Sequence, residues 1–401
     1  MRDSTFHAPP SRRSVITASI ILLVLYAVLM VGGALSTRHG VMPTGDPAGQ
    51  DFSNFYAASR LVRDGRAAEA YDLVAFNRAI VADHPGATAT YFWAYPPPSS
   101  LLVAPLAYMP YGLAMTVWTV LGLSAFLFMA WSLYPSRLTL LAGAASPALF
   151  WDVWHHQLGG LTAALLAFGF YESAKRPLVA GASIGLLVIK PHLAVAAPFL
   201  LAAGRRWKQI FAAGATMIGV SAVSYLIFGP TMWAAFLSAA GRAREILESP
   251  GQLKALMPSI FVALQLLGAP TWLCWTAQGA AAVAAIIVGI WVWRATSDSG
   301  MRTASALAAC ALISPYTFAY DGTLTALAIA AYAGAAVRTP PRRALYGFLV
   351  LAWFLPLPAA ALGTLYRIQI GWLAAVLVMV TVLATLPNVV EGRSHLSEAA
   401  A

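Results

Sequence analysis

Long stretches of this chain contain no Asp, Glu, Lys or Arg at all, among them residues 84–136, 209–241, 255–293 and 344–366. Nothing else in the sequence constrains the fold as strongly. About 20 apolar residues span a bilayer, and backbone groups inside hydrocarbon must pair within their own segment, which makes such runs helical. Ordinary soluble domains are about 25% charged, whereas this chain is 10% charged and 60% hydrophobic. The fold class is therefore an all-α polytopic membrane protein. A net charge of +10 would alone point to nucleic acid, but in such a chain it has to be read first as topology. Cys274 and Cys310 both lie in apolar runs, which implies core or lipid-buried thiols and no disulfide framework.

Orientation follows from where the basic residues fall. Arg2, Arg12 and Arg13 precede a first apolar run at 15–35, too long for a signal-peptide core, so it reads as a retained span with a cytoplasmic N-terminus. Residues 36–98 then form a long extracytoplasmic loop, with amphipathic helices near 52–64 and 67–82 from their helical apolar spacing. Pro110 divides 99–134 into an interfacial piece and a span at 111–134. The blocks 138–174, 177–204 and 303–337 share a pattern. Each has basic residues at both ends (Arg137, Lys175/Arg176, Arg205/Arg206/Lys208, Arg302, Arg338/Arg342/Arg343) and a polar break near its middle. The breaks are Asp152 to Gln157, Lys190-Pro191-His192 and Tyr320-Asp321. A single span would bury a charge at the bilayer centre, at about 2.5–3.5 kcal/mol, so each block reads as a hairpin of two short helices. Arms of about 12–16 residues reach roughly 18–24 Å, less than the hydrocarbon thickness of about 30 Å, which puts the tips at the floor of a cavity.

Further spans are expected at 209–228, within 258–293, and at 344–362 and 369–387, for a total of about 12 with both termini cytoplasmic. A second extracytoplasmic loop, 229–257, carries an amphipathic helix over 231–247. Residues 1–390 form a single transmembrane domain and 391–401 a cytoplasmic tail. On this topology the cytoplasmic segments hold 15 Lys and Arg against 5 Asp and Glu, and the extracytoplasmic ones hold 10 of each. The surplus charge is thus an orientation signal. The chemically interesting charges belong to the balanced outer set.

Asp51 precedes the aromatic helix Phe52, Phe55, Tyr56. Its position is that of a helix N-cap; the alternative is that beside three rings at a membrane surface it is partly desolvated and acts as a base. Lys190, the sole Lys or Arg within 177–204, either snorkels to the interface or neutralises an anion at the break. Arg60 and Arg63 either bind phosphate or lie on a solvated helix face. His155 and His156 point about 100° apart on a helix, which disfavours a shared metal; with Gln157 they suit hydrogen bonding to a sugar or phosphate, or an interfacial structural role. Asp321 reads as an N-cap or a sugar ligand, and Trp93 and Tyr95 as stacking platforms. No glycine-rich phosphate loop, CxxC pair or His-rich cluster occurs, so no metal or cofactor is implied and a cytoplasmic nucleotide-sugar donor has no support.

An Asp-led aromatic helix in the first outer loop, followed by Tyr95-Pro96-Pro97, resembles glycosyltransferase family 87 of the GT-C superfamily. Gln157-Leu158-Gly159, Lys190-Pro191-His192, and Ser314-Pro315 with Tyr320-Asp321 are similar to family elements, over most of residues 46–340. The resemblance implies a GT-C-type bundle in the plasma (inner) membrane and an extracytoplasmic active site. It implies a polyprenyl-phosphate-linked sugar donor, a lipid or glycan acceptor, and inverting transfer of a hexose such as mannose, with Asp51 as general base. Lys190, His192 and Arg60 would meet the donor phosphate. His155, His156, Gln157, Tyr320, Asp321 and Tyr95 would meet sugar or acceptor. Relatives often carry a histidine in the 314–321 tip, and this chain has none there. The rival from the residues themselves is a secondary transporter or lipid-carrier flippase, which would also display Asp152, Lys190 and Asp321 inside the membrane; a scaffolding protein explains those charges less well.

Overall fold

The computed structural model describes residues 10–249, 252–337 and 344–398. Arg2, Arg338, Arg342, Arg343 and the end of the expected tail lie outside them. All regular structure among the described residues is helical, apart from the isolated bridges Arg38–Val41 and Val41–Pro47.

Helix α1 (Arg12–Ser36) is the first apolar run. Its Tyr26 stacks on Phe150 at 4.2 Å. The 36–98 segment folds into α2 (Phe52–Arg63), a 3₁₀ turn (Ala67–Tyr71) and α3 (Leu73–Asp83). The second helix expected here is split, because Asp72 leaves the helical region and its side chain caps α3 by accepting from Ala75 N at 2.7 Å. A short α4 (Pro98–Val103) and a 3₁₀ turn follow, and then α5 (Tyr111–Leu133) begins after Pro110 as expected. An aromatic core lies under this segment, built from Phe52, Phe55, Tyr71, Phe76, Trp93 and Trp118.

The first interrupted block forms α6 (Arg137–Ala144), α7 (Pro147–Trp154) and α8 (Gly159–Tyr171). The second forms α9 (Pro177–Gly185) and α10 (Ala197–Ala203), with 3₁₀ turns on either side of Lys190. Packing contacts show that the chain turns back there. Gly181 is pressed against the Gln209 carbonyl and Gly185 against that of Ala213. Helix α9 thus runs parallel to α11 (Trp207–Glu248) and starts at the same level, so the chain between them must travel out and return. The end of α8 is tied to that level too: Gln209 Nε2 donates to Gly169 O at 2.7 Å and Ser173 Oγ to Gln209 Oε1 at 2.5 Å.

Helix α11 breaks at Gly229 (φ 76°, ψ 174°), just before Pro230. The left-handed φ suits glycine. The helix expected over 231–247 is thus the second half of this kinked element, and Arg242 Nη1 within it donates to Tyr71 O at 3.1 Å. Then come α12 (Ile260–Leu266), α13 (Thr271–Ala295), and the third block as α14 (Ser299–Ile313) and α15 (Thr323–Ala336). Gly300 packs on the Ala331 carbonyl, so α14 and α15 are an antiparallel pair. Last are α16 (Ala344–Phe354) and α17 (Pro356–Tyr366), bent by 56°, and α18 (Leu373–Glu398).

Four described helices are long and apolar enough to cross a bilayer (α1, α5, α11, α13), or five if α16 and α17 count as one span. Several others, including α8 and α14, are apolar but shorter. The chain is a helical membrane protein. Its main core joins α5, α8, α14, α15 and α18, and includes Cys310, while Cys274 is buried in a smaller cluster; both thiols are free.

Candidate active site

The three polar breaks meet at one end of this core. Asp152 explains the first. Its carboxylate, 3% exposed, accepts the N–H of Gly159 at 2.6 Å and of Gly160 at 2.9 Å. Those are unpaired donors at the start of α8, where a negative charge is favoured. The tip Trp154 to Leu158 is thereby held between two helices. Asp152 is therefore a structural bracket. A carboxylate seven residues ahead of Gly-Gly at a helix start is the sequence signal that could have identified it.

Thr323 Oγ1 donates to Gly159 O at 2.9 Å, which pins the third tip to the first. Lys190 joins the second tip to the third: its Nζ lies 2.5 Å from Asp321 Oδ1, with side chains 5% and 1% exposed, and 4.6 Å from the Tyr320 ring centroid. Asp321 Oδ2 accepts from Phe318 N at 2.9 Å. Asp321 is thus the counter-ion of Lys190 and caps its own turn, whereas the N-cap of α15 is Gly322. The lysine does not snorkel; it is buried and paired. Ser99 Oγ donates to Ile189 O at 2.9 Å and ties the second tip to the segment after Tyr95-Pro96-Pro97.

Asp51 enters from the 36–98 segment. It sits at the N-cap position of α2 but makes no side-chain cap. Instead its Oδ2 accepts from Gln157 Nε2 at 2.9 Å. Gln157 Oε1 accepts from the Tyr95 hydroxyl at 3.0 Å and from Leu158 N at 3.3 Å. Burial, with the charge of Asp51 next, holds the Tyr95 phenol well above its ordinary pKa, so it remains a donor. His155 lies edge-on to Tyr320 at 6.3 Å. The Nε2 atoms of His155 and His192 are buried and have no hydrogen-bond partner among the described residues. Unpaired buried polar atoms cost about 1–3 kcal/mol each, and a bound hydroxyl or phosphate would satisfy them.

Other expected ligands are engaged elsewhere. Arg60 forms an ion pair with Asp83 at the end of α3, and Arg63 pairs with Asp64 and donates to Ala107 O. His156, in a left-handed conformation (φ 49°), turns its Nδ1 to Thr119 Oγ1 at 2.7 Å. Trp93 is only 3% exposed, packed against Phe55, Phe76 and Tyr95, which leaves it no face for stacking. Among the described residues no group of three His, Cys, Asp or Glu side chains could hold a metal.

The arrangement brings together an ordered, half-buried carboxylate, a buried cation held by a second carboxylate, and two imidazole nitrogens awaiting partners. Such a set can take a proton from a hydroxyl and receive an anion. Among known families, the model of glycosyltransferase family 87 matches residues 93–315. Tyr95, Gln157, Lys190 and His192 lie inside the match, whereas Asp51 and Asp321 lie outside it. No curated protein and no solved structure matches the chain.

Proposed function

The chain belongs to glycosyltransferase family 87, and on that premise we propose that it moves a hexose, mannose being the leading candidate, from a polyprenyl-phosphate carrier to a hydroxyl of a lipid or glycan acceptor, with inversion. The acceptor oxygen attacks the anomeric carbon and gives its proton to Asp51. The bond from that carbon to the phosphate oxygen breaks with its electron pair, so the leaving group is an already stabilised anion that needs no general acid. Lys190 supplies the positive charge beside it, with His192 as a further donor, while His155 and Tyr320 contact sugar or acceptor. A well-placed base contributes roughly 10²–10⁴-fold.

One observation carries this reading: Asp51, 106 residues away in sequence, is hydrogen-bonded to Gln157 in the tip that Thr323 and Lys190–Asp321 join to the other two. The accompanying topology has about 12 spans in one domain over 1–390, counting the short hairpin arms. Both termini and the 391–401 tail are cytoplasmic, with the site on the extracytoplasmic side of the plasma membrane.

The test is transfer from a radiolabelled polyprenyl-phosphate hexose into a membrane lipid extract by purified protein, beside Asp51→Asn. Transfer by the parent and its loss in the variant is the expected result. Undiminished transfer by Asp51→Asn removes Asp51 as base. Uptake into proteoliposomes without transfer replaces the enzyme with a transporter.

A further inference from the structure

Gln157 is too fully engaged to be chiefly a sugar ligand. It is 5% exposed, and its amide orientation follows from its neighbours. Leu158 N–H can only donate, so the atom facing it must be Oε1. That leaves Nε2 facing Asp51 Oδ2. The Tyr95 hydroxyl gives its proton to the same Oε1, and Tyr95 is itself immobilised: its carbonyl accepts from Tyr71 Oη at 2.7 Å, and its ring packs on Phe55 at 5.3 Å and Trp93 at 4.9 Å. Hydrogen bonds therefore run in one direction, from phenol to amide to carboxylate. At its end Asp51 Oδ2 is occupied, and Oδ1 has no partner among the described residues.

We propose that Gln157 is a positioning residue for the base, anchored by Tyr95, and that the two hold the Asp51 carboxylate so that Oδ1 alone faces the acceptor hydroxyl. The proposal rests on the reading of Asp51 as base. Its physical content is orientation. A donor on Oδ2 opposes protonation there, which directs the abstracted proton to Oδ1. The bond also restrains rotation of a carboxylate that does not cap its own helix. A base displaced by about 1 Å can cost about 10²-fold in rate.

Steady-state kinetics of the full-length protein in detergent, with donor and acceptor varied separately, test the idea. Gln157→Ala is expected to lower kcat about 10- to 100-fold, with KM for both substrates within about twofold. Tyr95→Phe should lower kcat in the same direction by less. The double variant should be no worse than Gln157→Ala alone, since a broken relay cannot be broken twice. Gln157→Glu keeps the shape but sets a carboxyl against Asp51, and two carboxyls in contact share a proton; only the singly protonated pair keeps a donor on Asp51 Oδ2, so kcat should fall towards the Gln157→Ala level as pH rises and both ionise.

A raised KM with unchanged kcat would make Gln157 a substrate ligand and overturn the proposal. Additive losses in the double variant, or a pH–rate profile of Gln157→Glu with no alkaline loss beyond the parent's, would do the same. Tyr95→Phe and Gln157→Glu conserve volume and decide the matter even if Gln157→Ala does not fold. Asp51→Asn, run in parallel, separates the two ideas. Full activity in Asp51→Asn would defeat the base assignment itself, whereas its inactivity beside unaffected Gln157 variants would defeat only the relay.

Discussion

Lys190 and Asp321 lie 131 residues apart and meet with side chains 5% and 1% exposed, so removing one charge leaves the other stranded. Breaking a buried pair from one side costs about 3–5 kcal/mol, while replacing both partners by neutral groups of similar volume is often nearly neutral. Lys190→Met strands Asp321 with only the Phe318 N–H to accept from. Methionine retains a favourable contact with the Tyr320 ring in place of the ammonium. Asp321→Asn strands the ammonium, although the amide oxygen still serves one of the two donors, which puts this variant near the lower end, at about 3 kcal/mol. The double variant holds no buried charge and keeps an acceptor for Phe318, so it should fall within about 1.5 kcal/mol of the parent. The coupling is then at least about 4.5 kcal/mol, roughly a thousandfold or more in the unfolding equilibrium. Reversible SDS unfolding of all four proteins in mixed micelles measures it. Single variants within about 1 kcal/mol of the parent, adding up in the double, would refute the argument. Transfer assays on the same samples separate stability from chemistry: the double variant should be folded yet inactive, and wild-type turnover by it would remove Lys190 from the donor phosphate.

Gly159→Ala should cost both stability and transfer. The added Cβ would lie 2.3 Å from Tyr320 O and 2.7 Å from Asp152 Oδ1; overpacking costs about 1–3 kcal/mol, and a backbone neighbour puts this case at the upper end. Gly279→Ala, with no atom within 4 Å, is the control and should lose nothing in the same unfolding and transfer assays. His84 is held below its ordinary pKa by burial, against a hydrogen bond to Gly40 O that works the other way. Its folded form is therefore neutral, and its contribution is present above the ordinary histidine value of about 6.5 and lost as pH falls towards its lower folded value. Hydrogen exchange of residues 38–41 should speed up as pH falls from 7.5 to 5, after correction for intrinsic rates, and His84→Phe should flatten that trend; an unchanged trend would exclude His84 as its source. Ala94→Cys in intact cells should react with a membrane-impermeant maleimide, and Lys208→Cys only after permeabilisation, the native Cys274 and Cys310 being buried. The reverse pattern would invert the proposed topology.

Much of the helical order was legible because hydrocarbon leaves a chain few options. Charge-free runs become helices, Pro110 and Gly229-Pro230 interrupt them, and polar breaks at 152–157, 190–192 and 320–321 fall where the chain reverses. Local chemistry was read less well where a partner lay far away. Asp51 looked like a cap because capping is a short-range bond, yet its carboxylate bonds to Gln157 instead. Arg60 looked available to a phosphate, and Asp83 holds it. Trp93 looked like a platform for sugar, and it is part of an aromatic core. Asp152 looked like an intramembrane functional charge, and its two backbone hydrogen bonds make it a bracket.

By itself, the sequence determined that this chain is a helical membrane protein, where its helices are interrupted, and which family it resembles, because those properties depend on composition, spacing and short motifs. Only the tertiary structure decided which polar residues face one another. Asp51 with Gln157, and Lys190 with Asp321, are pairings between segments more than 100 residues apart. A buried charge takes whichever partner the packing of the surrounding helices brings within reach, and that packing is a property of the whole bundle rather than of any local stretch of chain.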